Sequence, residues 1–280
     1  MPSARGTYWR IILLLLFCSI GGFGAIIFSR RPSNDRRWAA DHARLPEVTF
    51  VDTLIRIANV RNFQYQSADS FTVRYDTRTY DLTKLESVWF VLAPFSTSWR
   101  GPAHSFVSFG FSDSTFLAIS VEARREEGES YGVLAGMGRN FELIYVVGDE
   151  ADLIGKRAGF GEFDVYLYPI RTTMDRAQAV LLNLLAKSDR LRLRPQFYHT
   201  VTNNCTSNLV ASVNQVAPGR IPKGLKLVFP GYADEVGRLL GLIDSTLPLE
   251  QARARYRIND AARRAMGRPD FSLLIRDQFR

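Results

Sequence analysis

Residues 198–210 read YHTVTNNCTSNLV and carry Cys205, one of only two cysteines in the chain. Asn203 and Asn204 are residue types that cap helix N-termini, and Leu209, Val210 and Val213 follow at helical spacing, which places Cys205 in or beside a first helical turn. Free backbone N–H groups and the positive end of the helix dipole favour the nucleophilic thiolate there. A lone free cysteine is more often an inert buried side chain, so chemistry requires a base. His104 is the best placed of three histidines. It follows a Gly101-Pro102 break and opens an alternating run in which His104, Phe106, Ser108 and Gly110 share one face of a strand. A cysteine at a helix start and a histidine at a strand start are the layout of a thiolate–imidazolium pair, provided that the helix packs across the sheet. His199 lies on the loop feeding the helix and reads as a backbone-bonding residue; His42 lies in a polar segment and reads as a bystander.

The elements that must position this pair follow from periodicity. Residues 71–75 and 88–93 read as strands, the second apolar enough to be buried on both faces. Residues 104–111 and 115–122 form a hairpin about a turn at Asp113 and Ser114. On the returning arm Phe116, Ala118, Ser120 and Glu122 share a face, so Glu122 or Ser120 can orient the His104 ring. Glu122 is preferred because a carboxylate also stabilises a charged ring; a salt bridge from Glu122 to Arg124 or Arg125 is the equally weighted structural alternative. Residues 141–147 and 163–170 supply two more strands. Thr173 caps a helix with a stripe of Ala177, Val180, Leu181, Leu184 and Leu185. Residues 232–242 and 249–266 read as further helices, the latter amphipathic with an arginine face. A sheet followed by helices is an α+β arrangement.

Composition narrows the classes. With 280 residues, 46% of them hydrophobic, the chain can bury a full core. Its net charge of +8 comes with no nucleic-acid-binding module, so no nucleic-acid partner is expected. One cysteine outside the apolar run and three scattered histidines offer no metal-ligand spacing, and no phosphate-cradling loop is present; no metal or other cofactor is expected. Residues 11–28 are eighteen uncharged residues, about 27 Å as a helix and enough for a bilayer core. They read as an uncleaved anchor, with Cys18 a membrane-embedded bystander because Phe17 precedes it where an acylated cysteine needs a small residue. The division is therefore an anchor at 1–30, a linker at 31–47 and one domain at 48–280. Arginines after the anchor, read by the positive-inside rule, put that domain in the cytoplasm.

The order histidine strand, further strands, Asn-Cys helix resembles the circularly permuted papain-like fold of the lecithin:retinol acyltransferase and NlpC-type superfamily, with residues 103–111 as the histidine strand and Asn204-Cys205 as the nucleophile. More closely, WFVLAPF at 89–95, LAISVEAR at 117–124, YHTVTNNC at 198–205 and PGYAD at 230–234 resemble, in order, the family carrying the Lnb N-terminal periplasmic domain. That resemblance implies a bacterial inner-membrane protein whose domain faces the periplasm, and on this point it overrides the arginine asymmetry. It implies a thiol acyltransferase acting on ester-linked acyl chains of lipids or lipoproteins, with Cys205 as nucleophile, His104 as base, Glu122 or Ser120 orienting the ring, and Tyr198 and the Asn204-Cys205 turn supporting the oxyanion. The alternatives are an envelope peptidase or amidase using the same pair, and a non-catalytic tethered protein with an inert Cys205. The residues leave the oligomeric state open.

Overall fold

The computed structural model describes residues 9, 13–14, 17, 29–96, 101–222, 224 and 229–279. Most of the apolar run 11–28, Cys18 included, lies outside them, and among the described residues no helix is long and apolar enough to cross a membrane.

The chain is built on one eight-stranded sheet. Its strands are β1 (Glu47–Val51), β2 (Leu54–Arg61), β5 (Tyr75–Asp81), β6 (Leu85–Pro94), β7 (Ala103–Phe111), β8 (Phe116–Arg124), β9 (Glu142–Gly148) and β10 (Tyr166–Pro169), while β3 (Gln64–Tyr65) and β4 (Phe71–Thr72) make a separate ribbon. The order across the sheet is β1-β2-β9-β8-β7-β6-β10, with β5 also on β2. Pairing is antiparallel except where β2 meets β9 at Arg61 and Gly148. The expected hairpin is present as β7 and β8, with Ser114 in a left-handed conformation at its turn.

Every residue of β7 is buried, which requires cover on both faces. On one face lie α2 (Met174–Leu193) and α3 (Cys205–Val216), packed on Leu92, Val107 and Phe109. On the other lie α1 (Glu150–Phe160) and α6 (Asn259–Ala265), packed on Val91, Phe106 and Ile144. The result is a mixed α+β fold, a sheet between two helical layers. The α1 helix is absent from the periodicity reading although Asp149 caps it and Glu150 and Asp152 occupy its first turn. It approaches α6 closely, since a Cβ on Gly159 would lie 2.8 Å from Met266 Sδ.

Residues 249–266 form two helices, α5 (Leu249–Tyr256) and α6. The break falls at Arg257 and Ile258, where the Ile258 N–H bonds Val165 O. The arginine face expected there is partly consumed by packing. Arg253 is buried against Asp234, on α4 (Ala233–Leu239), and Arg257 pairs with Asp164 and Asp260. Two bidentate buried pairs clamp α1, Arg61 on Asp152 and Arg276 on Glu150.

Residues 31–46, expected as a polar linker, lie along the body. Asn34 Nδ2 donates to Leu191 O at 2.8 Å, Ser33 N to Glu142 at 3.2 Å, and the Arg124 guanidinium stacks 3.9 Å from the Trp38 ring centroid. His42 is 2% exposed. Partners for these polar groups come from the ends of β8, β9 and α2, remote in sequence, so nothing local signals the docking.

Candidate active site

Asn204 starts α3 through a capping box: its Oδ1 accepts from Ser207 N, and Ser207 Oγ accepts from Asn204 N, each at 2.8 Å. Asn204 Nδ2 donates to Thr200 O at 2.5 Å. The Asn204 side chain is thus committed to shaping the turn, while the N–H groups of Cys205 and Thr206 belong to the helix positions without intrahelical acceptors. Asn203 supports the turn from outside, accepting from Asn208 Nδ2 at 2.8 Å. His199 does likewise, its Nδ1 accepting from Val201 N and Thr202 N at 3.2 Å.

The pleat of β7 divides the neighbours of the thiol. Ser105 faces α3: its Oγ lies 3.9 Å from Cys205 Sγ and 3.2 Å from Thr206 Oγ1, and Thr206 Oγ1 lies 3.8 Å from Sγ. His104, one residue earlier, projects to the face that holds Phe106. Both His104 and Cys205 nevertheless line one cavity of about 450 Å3 that wraps around the start of β7, together with His42, Glu122, Arg157 and Tyr198. The alternation pattern gives the faces correctly. It does not show that the site straddles the end of the sheet, because that depends on where α3 begins relative to the strand edge.

Around His104 the register builds a relay. The β7–β8 pairing runs from Gly110 and Phe116 to Val107 and Ile119, and beyond it the end of β8 lies beside His104. His104 Nε2 lies 2.7 Å from Ser120 Oγ, Ser120 Oγ donates to Glu122 Oε1 at 2.7 Å, and Nε2 is 3.7 Å from Glu122 Oε1. Ser120 therefore touches the ring and Glu122 stands behind it. A carboxylate only accepts, so the single Ser120 hydrogen goes to Glu122 and Ser120 Oγ accepts from Nε2–H. This fixes the tautomer and leaves Nδ1 as the basic nitrogen.

Glu122 is held by two residues that periodicity does not reveal. Arg157 donates to Oε1 at 2.8 Å and His42 Nε2 lies 3.2 Å from Oε2. His42 Nδ1 accepts from Arg125 N at 3.0 Å, so its hydrogen is on Nε2 and points at the carboxylate. The expected alternative, a salt bridge to Arg124 or Arg125, is not what Glu122 makes; Arg124 bonds the carbonyls of His42 and Ala43, and Arg125 pairs with Asp41. Arg157 sits on the unexpected helix α1, and no local spacing links it to β8.

Electrostatics follow from this enclosure. Burial pushes Glu122 upward, but Arg157 and the His42 hydrogen bond outweigh it and hold the carboxyl well below its usual range. Burial and then the Arg157 charge push His104 down to about 3, against the pull of Glu122. The ring rests neutral, so the expected standing thiolate–imidazolium pair gives way to a neutral base whose carboxylate is already shared with a guanidinium. Tyr198, 8% exposed, has its hydroxyl pKa raised by burial and by the neighbouring Cys205, and remains a donor; its oxygen is 3.5 Å from that of Tyr131.

A second, apolar cavity of about 150 Å3 begins on the other side of Ser105 and Thr206, between β6, β7, α2, α3 and α4. Among the described residues no cluster of three His, Cys, Asp or Glu side chains is placed to hold a metal ion.

Comparison with known proteins matches residues 71–230, more than half of the chain, to the family model described as the Lnb N-terminal periplasmic domain. That span contains Cys205, His104, Ser120, Glu122, Arg157 and Tyr198 but not His42. No curated protein and no solved structure matches.

Proposed function

The chain belongs to the family of the Lnb N-terminal periplasmic domain, an envelope protein family by that description, and from this premise we propose that it is a membrane-anchored thiol acyltransferase. It acts on ester-linked acyl chains of lipids or lipoproteins. The observation that carries the reading is that one cavity is lined both by a thiol at a capped helix start and by a neutral imidazole bonded to Ser120, which in turn bonds Glu122.

In the first half-reaction Cys205 Sγ attacks the ester carbonyl as its proton moves to His104 Nδ1. Imidazolium formation inside a buried site is then compensated by Glu122 through Ser120. The oxyanion is met by the Cys205 N–H and the Tyr198 hydroxyl, whose contribution reaches several kcal/mol in sites of this kind. Collapse expels the alcohol, which takes the proton from His104, and leaves a Cys205 thioester. In the second half-reaction an amine attacks the thioester, passing a proton through the same ring back to sulfur. Water in place of the amine would make the protein a hydrolase, and the polar wall of Asp41, Lys156 and Arg157 suits either acceptor. The arrangement of histidine strand before cysteine helix is read as the permuted papain-like order. Residues 11–28 are read as the inner-membrane anchor, with the domain on the periplasmic side and His42 entering the site from the segment between them.

The test is intact-mass analysis of the full chain after incubation with a diacylglyceryl lipopeptide. The expected result is an acyl-mass adduct on Cys205 that is absent in Cys205→Ala and decays faster when an amine acceptor is added. Acylation of envelope lipoproteins that is unchanged in cells carrying Cys205→Ala, with no adduct in vitro, refutes the proposal. Decay insensitive to amines identifies the hydrolase.

A further inference from the structure

The cavity at Cys205 opens through a rim of apolar side chains. Phe95, Tyr131, Val133, Met137, Val201 and Phe229 line it, and each is at least 38% exposed, so they stand where the cavity meets the outside. Leu134, beside Val133 on the same turn, is 81% exposed. Single exposed apolar side chains are ordinary in a folded protein, whereas a contiguous group of them marks a contact surface. The group is held in place. Thr200 Oγ1 donates to Val133 O at 2.9 Å and Met137 N to Leu134 O at 3.0 Å, while a Cβ on Gly136 would collide with Thr200 Oγ1, so the 131–138 loop lies tight against the turn that leads to Cys205. The chain leaving the apolar run 11–28 comes to the same place. Arg30 Nη1 donates to Asn140 Oδ1 and Ser33 N to Glu142 at 3.2 Å, both just after Met137 in the chain.

We propose that this rim is a membrane-docking surface, seated in the headgroup–acyl boundary of the bilayer that holds residues 11–28. The proposal rests on the anchor reading of those residues and adds which face of the domain meets the lipid. Two observations favour a bilayer over a protein partner. The rim lies beside the point where the anchor joins the domain: from residue 28 to Arg30, bonded to Asn140, is two Cα steps, or about 7 Å. In addition, Arg30 and Arg31 are exposed and supply the positive charge that anionic headgroups attract, next to Phe and Tyr side chains of the kind that settle at a membrane interface. The mouth of the cavity then faces the lipid, and an ester at the boundary enters it without first passing through water.

The test uses the full chain in nanodiscs of phosphatidylglycerol and phosphatidylethanolamine, with photoreactive p-benzoylphenylalanine in place of Leu14, Leu134 or Leu239 and lipid adducts located by peptide mass. Leu239, 78% exposed, closes α4 at the other end of the sheet, where Leu242 O accepts from Arg171 N just after β10. Adducts are expected at positions 14 and 134 and not at 239. In a second arm Leu134→Glu, shown to be folded by its melting temperature, lowers acylation of Cys205 by a diacylglyceryl lipopeptide in the bilayer about tenfold and leaves cleavage of soluble p-nitrophenyl acetate unchanged. Adducts at 14 without any at 134, or as many at 239 as at 134, overturn the proposal. So does bilayer acylation that Leu134→Glu leaves unchanged. No adduct at 14 instead removes the anchor reading on which the proposal rests. If Cys205 takes no acyl group from either ester, the acyl-transfer reading is lost while the adduct pattern still decides the docking.

Discussion

Replacing His104 by glutamine removes a buried titrating group while keeping a donor for Ser120, and its effect on acid stability can be worked from the site. The folded pKa of His104 is about 3, against about 6.5 in an unfolded chain. The folded value is the lower one, so on acidification the unfolded chain takes up the proton first. Stability from this group is therefore greatest above pH 6.5 and is lost as the pH falls from 6.5 toward 3. Between pH 7 and pH 5 linkage gives a loss of about 2 kcal/mol. Glu122, held low, adds little in that window because its stabilisation is lost only below the unfolded carboxyl pKa. At about 2–4 °C per kcal/mol for a domain near this size, the loss corresponds to about 4–8 °C in melting temperature. The assay is the melting temperature of the full chain and of His104→Gln at both pH values, with the double difference as readout. Equal drops in the two proteins refute the burial argument and return His104 to an exposed, ordinary imidazole.

Arg157→Met removes the guanidinium that depresses the ring and competes for Glu122, so the His104 pKa rises and the same double difference shrinks; an unchanged value shows that burial alone sets the ring. Ser120→Ala leaves Nε2–H without its acceptor at a cost of about 1–3 kcal/mol, expected as a roughly tenfold to hundredfold fall in kcat/KM for ester cleavage, with Ser120→Thr retaining more activity. Asn204→Ala removes the cap that orders the start of α3 and lowers unfolding stability by about 1 kcal/mol, measured by thermal or denaturant melting.

Local chemistry made part of the site readable. Asn204 announces a cap by type, Cys205 follows it, and a Gly101-Pro102 break before an alternating run marks a strand that opens with His104; each is a signal within ten residues. The α+β class and the hairpin at Ser114 follow from the same periodicities. The choice between Ser120 and Glu122 was not decidable from alternation, because both lie on the right face and only the register separates ring contact from support. Arg157 and His42 were not readable at all. Their partner Glu122 is 35 and 80 positions away, and their own neighbourhoods resemble an ordinary charged helix and a polar connector. The break at Ile258 likewise depends on an N–H to Val165 O bond across 93 positions, which no helical pattern in 249–266 reveals.

The docked segment at 31–46 changes how far the cavity at Cys205 can roam. A free connector over the seventeen positions 31–47 would give a leash of about 60 Å, whereas the first backbone attachment, Ser33 to Glu142, leaves five steps from residue 28, or about 17 Å. For a domain proposed to hang from an anchor ending at that residue, this sets a short working radius, close to the thickness of a headgroup layer and the chain ends beneath it. Esters at the bilayer surface come within reach of Cys205 and those in solution gain nothing from the tether. Splicing flexible residues between positions 29 and 31 would then dilute the encounter without touching a single group of the cavity.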